Sequence, residues 1–192
     1  TVTAVSSAAT AVTETVVTTT TGVDAVSVQS NLTGFSTGTT DDIIKFDVSN
    51  ITAVSGIGTL SDSAGDVAGT DDIVVHTYTK GTSQTADDVD AGANVIKVAY
   101  SNTINSFADV SSAINASNLD LDNAPSTTDV LAMTYYDADA GKAVFGFMMN
   151  PDSATQSGSI VDDNTTFNEI GSASMTIASY NALDADNFSL QA

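Results

Sequence analysis

The sequence predicts a mainly β protein, sandwich-like or built of stacked antiparallel or mixed sheets, with one short amphipathic helix at about residues 106–117. Three observations predict it. Thr and Val are abundant, and their branched side chains are stiff in a way that suits strands. Apolar and polar residues alternate over several short runs, so every second side chain falls on one face. Clusters of Asp, Gly, Thr and Asn, the residues of turns, separate those runs.

Taken in order, residues 1–21 form a Thr/Val/Ala/Ser stretch without Gly or Pro, read as an N-terminal strand or extension. Residues 22–192 are read as a single β-rich domain. In it GVDAVSVQSNLTGF reads as a short strand and a turn. IIKFDV follows Asp41-Asp42 and places Ile44, Phe46 and Val48 on one face. IVVHTYT follows Asp71-Asp72 in the same way. NVIKVAY places Ile96, Val98 and Tyr100 on one face. The helix comes next: Ser106 suits an N-cap, Asp109 lies near the positive end of the helix dipole, and Phe107, Val110 and Ile114 recur at helical spacing.

The segment NLDLDNAPSTT reads as a loop, and VLAMTYYDADAGKAVFGFMMN as a β-hairpin turning at Asp137–Gly141. Leu131, Met133 and Tyr135 share one face of its first strand, and Ala143, Phe145, Phe147 and Met149 one face of its second. A polar connection runs through Phe167. Ala173, Met175 and Ile177 then alternate as the last clear strand, before a helical turn and a short closing strand ending at Leu190.

Charge is the strongest chemical signal. Twenty-four acids, twenty-two of them Asp, face four Lys and no Arg, for a formal charge of -20. Such a chain repels itself unless cations neutralise it, and Asp is a hard oxygen ligand suited to Ca²⁺. Candidate Ca²⁺ ligands are the acids at the strand entrances and loops: Asp41, Asp42, Asp71, Asp72, Asp87, Asp88, Asp90, Asp120, Asp122, Asp162 and Asp163. The competing reading of each is a turn Asp bonded to backbone N–H. Asp137-x-Asp139-x-Gly141 looks like the start of an EF-hand loop, but position 12 falls on Met148, so a hairpin turn is the better reading.

Other chemistries are excluded or weak. The acidity argues against nucleic acid and anionic membranes as partners, which need Lys and Arg. No apolar run approaches the ~20 residues of a membrane helix, so no membrane insertion is expected. The absence of Cys excludes disulfides and thiol chemistry. His76 is the only His and has no Cys partner, which argues against Zn or Cu. No Gly-x-Ser-x-Gly elbow is present, and Trp, a common sugar platform, is absent. The chain is read as no enzyme.

GTTDDIIKFDVSNI resembles the segment that ends the calcium-binding repeats of bacterial RTX proteins exported by type I secretion. NVIKVAY, SFADVSSAINAS and TTDVLAMTYYDADAGKAVFGFMM together resemble the strand–helix–hairpin module downstream of it, and TFNEIGSASMTIASYNALDADNFSL resembles the C-terminal strand pair. The resemblance, to the non-repeat C-terminal region of RTX-type surface-layer and adhesin proteins, covers roughly residues 22–190. No Gly-Gly-x-Gly-x-Asp repeat is present, so a calcium β-roll is not implied.

The resemblance implies export, and residues 1–21 lack the basic start and Leu-rich centre of a secretory signal peptide. The expectation is therefore a secreted, cell-surface-associated structural subunit of a surface layer, matrix or filament. It would pair with copies of itself through its N-terminal strand and be stabilised by Ca²⁺. The alternative is an adhesive or secretion-competent domain that binds a glycan or cell surface.

Overall fold

A computed structural model describes residues 2–5, 19–21, 24–26, 30–32, 43–47, 73–84, 93–117, 119, 130–149, 161 and 165–191. The protein is mainly β, as the alternating runs predict. Four short strands come first: β1 (Val2–Val5), β2 (Thr19–Thr21), β3 (Asp24–Val26) and β4 (Ser30–Leu32). Then follow β5 (Ile43–Asp47), β6 (Val75–Tyr78), β7 (Val95–Val98), helix α1 (Phe107–Ser117), β8 (Val130–Asp137), β9 (Lys142–Met149) and β10 (Thr166–Ser174). Helix α2 (Ile177–Asn181), a 3₁₀ turn (Ala185–Asn187) and β11 (Phe188–Gln191) close the described chain.

A six-stranded mixed sheet has the order β4-β10-β9-β8-β7-β6. A three-stranded sheet has the order β1-β5-β11, and β2 and β3 form a two-stranded ribbon. The central hairpin pairs β8 with β9 antiparallel from Val130↔Met149 to Asp137↔Lys142. Strands β6, β7 and β8 are parallel neighbours. A parallel pair needs a crossover connection, and α1 lies in the one between β7 and β8.

Both faces of the large sheet are buried. Leu131, Met133 and Tyr135 of β8, Val144 and Met148 of β9, and Ile96 and Val98 of β7 belong to one apolar cluster. Helix α1 covers that cluster with Val110, Ala113 and Ile114, and Phe107 packs against it, so the predicted helical spacing marks the contact face. Ala132 and Tyr136 of β8, Ala143 and Phe145 of β9, and Val95 of β7 belong to a second cluster. Ile170 and Ala173 of β10, Ile44 of β5, Phe188 of β11, Tyr180 of α2 and Leu183 complete it. The result is sandwich-like on one side and helix-covered on the other.

Polar groups pin the second layer to the sheet. The Tyr180 hydroxyl, wholly buried, donates to the carbonyls of Val98 and Thr134. Burial pushes that phenol far above its ordinary pKa, so it stays a donor. Lys97 points into the same layer, where Nζ donates to Leu183 O at 2.6 Å and Asn181 O at 3.1 Å. These carbonyls lie at and just beyond the negative end of α2, where a cation is favoured. Desolvation lowers the Lys97 pKa, opposed by the charge of Asp184. Its stem completes the strand while its head caps the helix.

Three expectations are corrected. The strand built on Ala173, Met175 and Ile177 stops at Ser174, because Thr176 N-caps α2 by accepting from the Ser179 amide at 3.1 Å. Ile177 is therefore helical and exposed, and the chain holds a second short helix. The connection read as polar through Phe167 is already strand from Thr166, and Phe167 stacks on Phe107 with centroids 5.1 Å apart. Tyr100 leaves the face of Ile96 and Val98, because β7 ends at Val98. Its ring meets Tyr136 edge-on at 5.6 Å, against the other cluster.

At Gly146 of β9 the backbone of β10 leaves no room for a side chain. A Cβ there would lie 2.2 Å from Asn168 O and 2.5 Å from Phe167 Cζ. A side chain must push the two strands apart. Gly146→Ala is expected to destabilise the fold by about 1–3 kcal/mol, the usual cost of overpacking, read as a lower urea midpoint. An unchanged midpoint would contradict this packing.

Candidate functional site

The eleven candidate calcium ligands (Asp41, Asp42, Asp71, Asp72, Asp87, Asp88, Asp90, Asp120, Asp122, Asp162 and Asp163) lie outside the described residues. The body to which two of their runs attach is described. Gln84 and Leu119 form an isolated parallel β-bridge. Leu119 is fully buried, and the Gln84 side-chain amide reaches Thr77 O at 3.4 Å. In sequence Asp87 follows Gln84 by three residues, and Asp120 follows Leu119 directly.

Close to this bridge, Lys80, Gly81, Ser83, Ala113, Ala116 and Ser117 line an open cavity of about 460 Å³. It lies against the C-terminal turn of α1. There the hydroxyls of Ser117 and Tyr78 donate to Ala113 O at 2.7 and 2.8 Å. Lys80 Nζ donates to the Thr103 hydroxyl. Of the six lining residues, Ser83 and Ser117 carry hydroxyls and Lys80 a cation.

A second polar cluster sits at the N-terminus of α1. Asp109 Oδ2 accepts from the Asn105 amide at 3.0 Å and the Ser106 hydroxyl at 2.9 Å. Those bonds hold the Asp109 carboxyl below the ordinary carboxylate range. Asp109 is thus a capping residue, as its position after Ser106 predicts. Asp137 likewise serves its turn: Oδ1 accepts from Ala140 N at 2.9 Å, and its carbonyl accepts from Gly141 N. Gly141 has φ +66°, the left-handed conformation that closes the hairpin. The Asp-x-Asp-x-Gly segment is therefore a hairpin turn.

Between these caps lie Tyr135, Glu169 and Lys142. Glu169 Oε1 is 4.0 Å from Lys142 Nζ. Burial raises the Glu169 pKa; Lys142 opposes the rise and Asp137 adds to it. Burial also raises Tyr135, followed by the charges of Glu169, Asp137 and Asp109. The cluster therefore holds a neutral phenol beside carboxylates. His76, the only histidine, is buried in β6.

Sequence reasoning missed Glu169 and Lys97. A lone lysine inside the apolar run VIKV was the available signal for Lys97. Glu169 had a weaker one, a charge between Phe167 and Ile170.

Among the described residues, no three His, Asp or Glu side chains gather as a metal site requires, and no helix is long and apolar enough to cross a membrane. No family model matches the chain, and no curated protein or solved structure matches it either.

The raised Glu169 pKa has a definite sign. A carboxyl whose folded pKa exceeds its unfolded value adds stability below the unfolded value near 4.5, and that stability is lost as pH rises through the folded pKa. Glu169→Gln is therefore expected to gain on the parent as pH rises from about 4.5 to 7. Denaturant midpoints of the two proteins across that range measure it. Parallel pH profiles would contradict the burial of Glu169.

Proposed function

We propose that this protein is a self-assembling extracellular structural subunit, of a surface layer, matrix or filament, held together by Ca²⁺ and by strand pairing between copies. Charge carries the reading. The formal charge is -20, and the four basic residues are Lys45, Lys80, Lys97 and Lys142. Lys97 is spent on the carbonyls of Asn181 and Leu183, and Lys142 stands beside Glu169. Lys80 donates to Thr103. Basic side chains cannot balance the aspartates, so solvent cations must, and a divalent cation shared between two acidic surfaces joins them.

The bridge between Gln84 and Leu119 supports calcium more locally. Asp87 lies three residues after Gln84 in sequence and Asp120 one after Leu119, and Ca²⁺ takes six to eight oxygens at 2.3–2.6 Å from carboxylates, carbonyls and water. The mainly β architecture supports assembly, because a sheet edge accepts a further strand through its backbone. Catalysis forms no part of this reading.

The open cavity beside α1 favours a second reading, an adhesive domain that binds a glycan or cell surface. Its hydroxyl groups and Lys80 suit the polar oxygens of a sugar.

Electron microscopy of the purified chain in Ca²⁺ and then in EGTA separates the two. Ordered filaments or sheets that dissolve in EGTA are the expected result. Assemblies that survive EGTA would remove calcium from the account and keep strand pairing. Monodisperse particles in both conditions would favour the adhesive domain.

A further inference from the structure

Strand β1 pairs antiparallel with β5 in the register Val2↔Phe46, Thr3↔Lys45, Ala4↔Ile44 and Val5↔Ile43. Strand β11 holds the other side of β5, in parallel. Among the described elements β5 is the one strand that β1 joins, and β1 is an outer strand of its sheet. We propose that β5 is the acceptor for strand exchange: residues 2–5 of one copy leave their own β5 and occupy the same place on the β5 of the next copy.

Three observations carry the exchange. The first is identity of contacts. A neighbour's residues 2–5 have the same sequence, so they offer β5 the same hydrogen bonds and the same register, and the exchanged state loses none of them. An emptied β5 would instead show a row of unpaired N–H and C=O groups beside β11, which drives it to take a strand.

The second is reach. Residues 6–18 separate β1 from the next described strand, and these thirteen residues contain no Gly or Pro. A segment of thirteen residues can span at most about 45 Å when fully extended.

The third is charge. Residues 1–21 contain one charged side chain, Glu14, in a chain of formal charge -20. A segment with so little charge approaches an acidic neighbour with little repulsion.

Geometry then sets the product. Each copy gives one strand and has one acceptor, so the contact is head-to-tail and the polymer stays open unless the rotation closes a ring. This inference rests on the assembly reading and names its contact.

The chain has no cysteine, so an engineered pair is unambiguous. Register partners in a sheet have Cα atoms about 4.5–5.5 Å apart, within disulfide range. The test is the full chain carrying Thr3→Cys and Lys45→Cys, assembled in Ca²⁺, oxidised and run on a non-reducing gel. A ladder of covalent multimers, with most of the protein above single-chain mass, is expected. Particles whose disulfides stay within single chains would overturn exchange and leave assembly standing. Absence of particles from the unmodified chain would overturn the assembly reading, and exchange with it. If the double variant does not fold, mixing chains with Thr3→Cys alone and Lys45→Cys alone reads the same contact. A disulfide-linked mixed pair supports exchange, and its absence from assembled particles overturns it.

Discussion

The constraint on which this protein turns is the imbalance of charge. Twenty-four acids and four lysines must coexist with an apolar core. The described body meets this by giving its described lysines local work: Lys97 on the carbonyls that follow α2, Lys142 beside Glu169, Lys80 on Thr103. Acids in the described body are used where a negative charge is favourable, as at Asp109 by the start of α1 and Asp137 in the hairpin turn. Asp184 serves in the same way at the 3₁₀ turn, where its carboxylate accepts from the Asp186 amide.

The central strands of the large sheet bury apolar side chains on both faces. Strands β7, β8 and β9 alternate between two apolar clusters, one under α1 and one under the layer of Ile44, Phe188, Tyr180 and Leu183. Burial on both faces makes these strands hydrophobic along their whole length. A buried lysine is tolerated there only because it reaches carbonyls of the covering layer. Tyr180 does the same in reverse, sending one hydroxyl back to the backbone of two sheet strands.

Much of this was legible in the sequence, and the failures share a cause. The hairpin and α1 were readable because their periodicities are long and their caps are local: Ser106 with Asp109, and Asp137 with Gly141. Met175, Ile177 and Tyr100 misled because alternation says nothing about where a strand ends. A capping threonine ended β10, and the last residue of β7 released Tyr100 to the opposite face. Two-sided burial was hidden too, since single-face patterns ignore Ala132, Tyr136 and Val144. Of the site, the residues that could be placed from sequence were the capping acids. Ligand sets for calcium depend on loops brought together in space, and the bridge between Gln84 and Leu119 joins positions thirty-five residues apart.

The central claim is that calcium, specifically, relieves the acidic repulsion. Thermal unfolding in millimolar Ca²⁺, against EGTA with NaCl at matched ionic strength, tests it most directly. A site that binds the folded chain should raise Tm progressively with free Ca²⁺, by about 2.7 kcal/mol of stability at one hundred times Kd. The account predicts a rise well above the NaCl control. A Tm equal in Ca²⁺ and in matched NaCl would mean that the aspartates need only general screening, and would contradict a calcium-bound structural subunit.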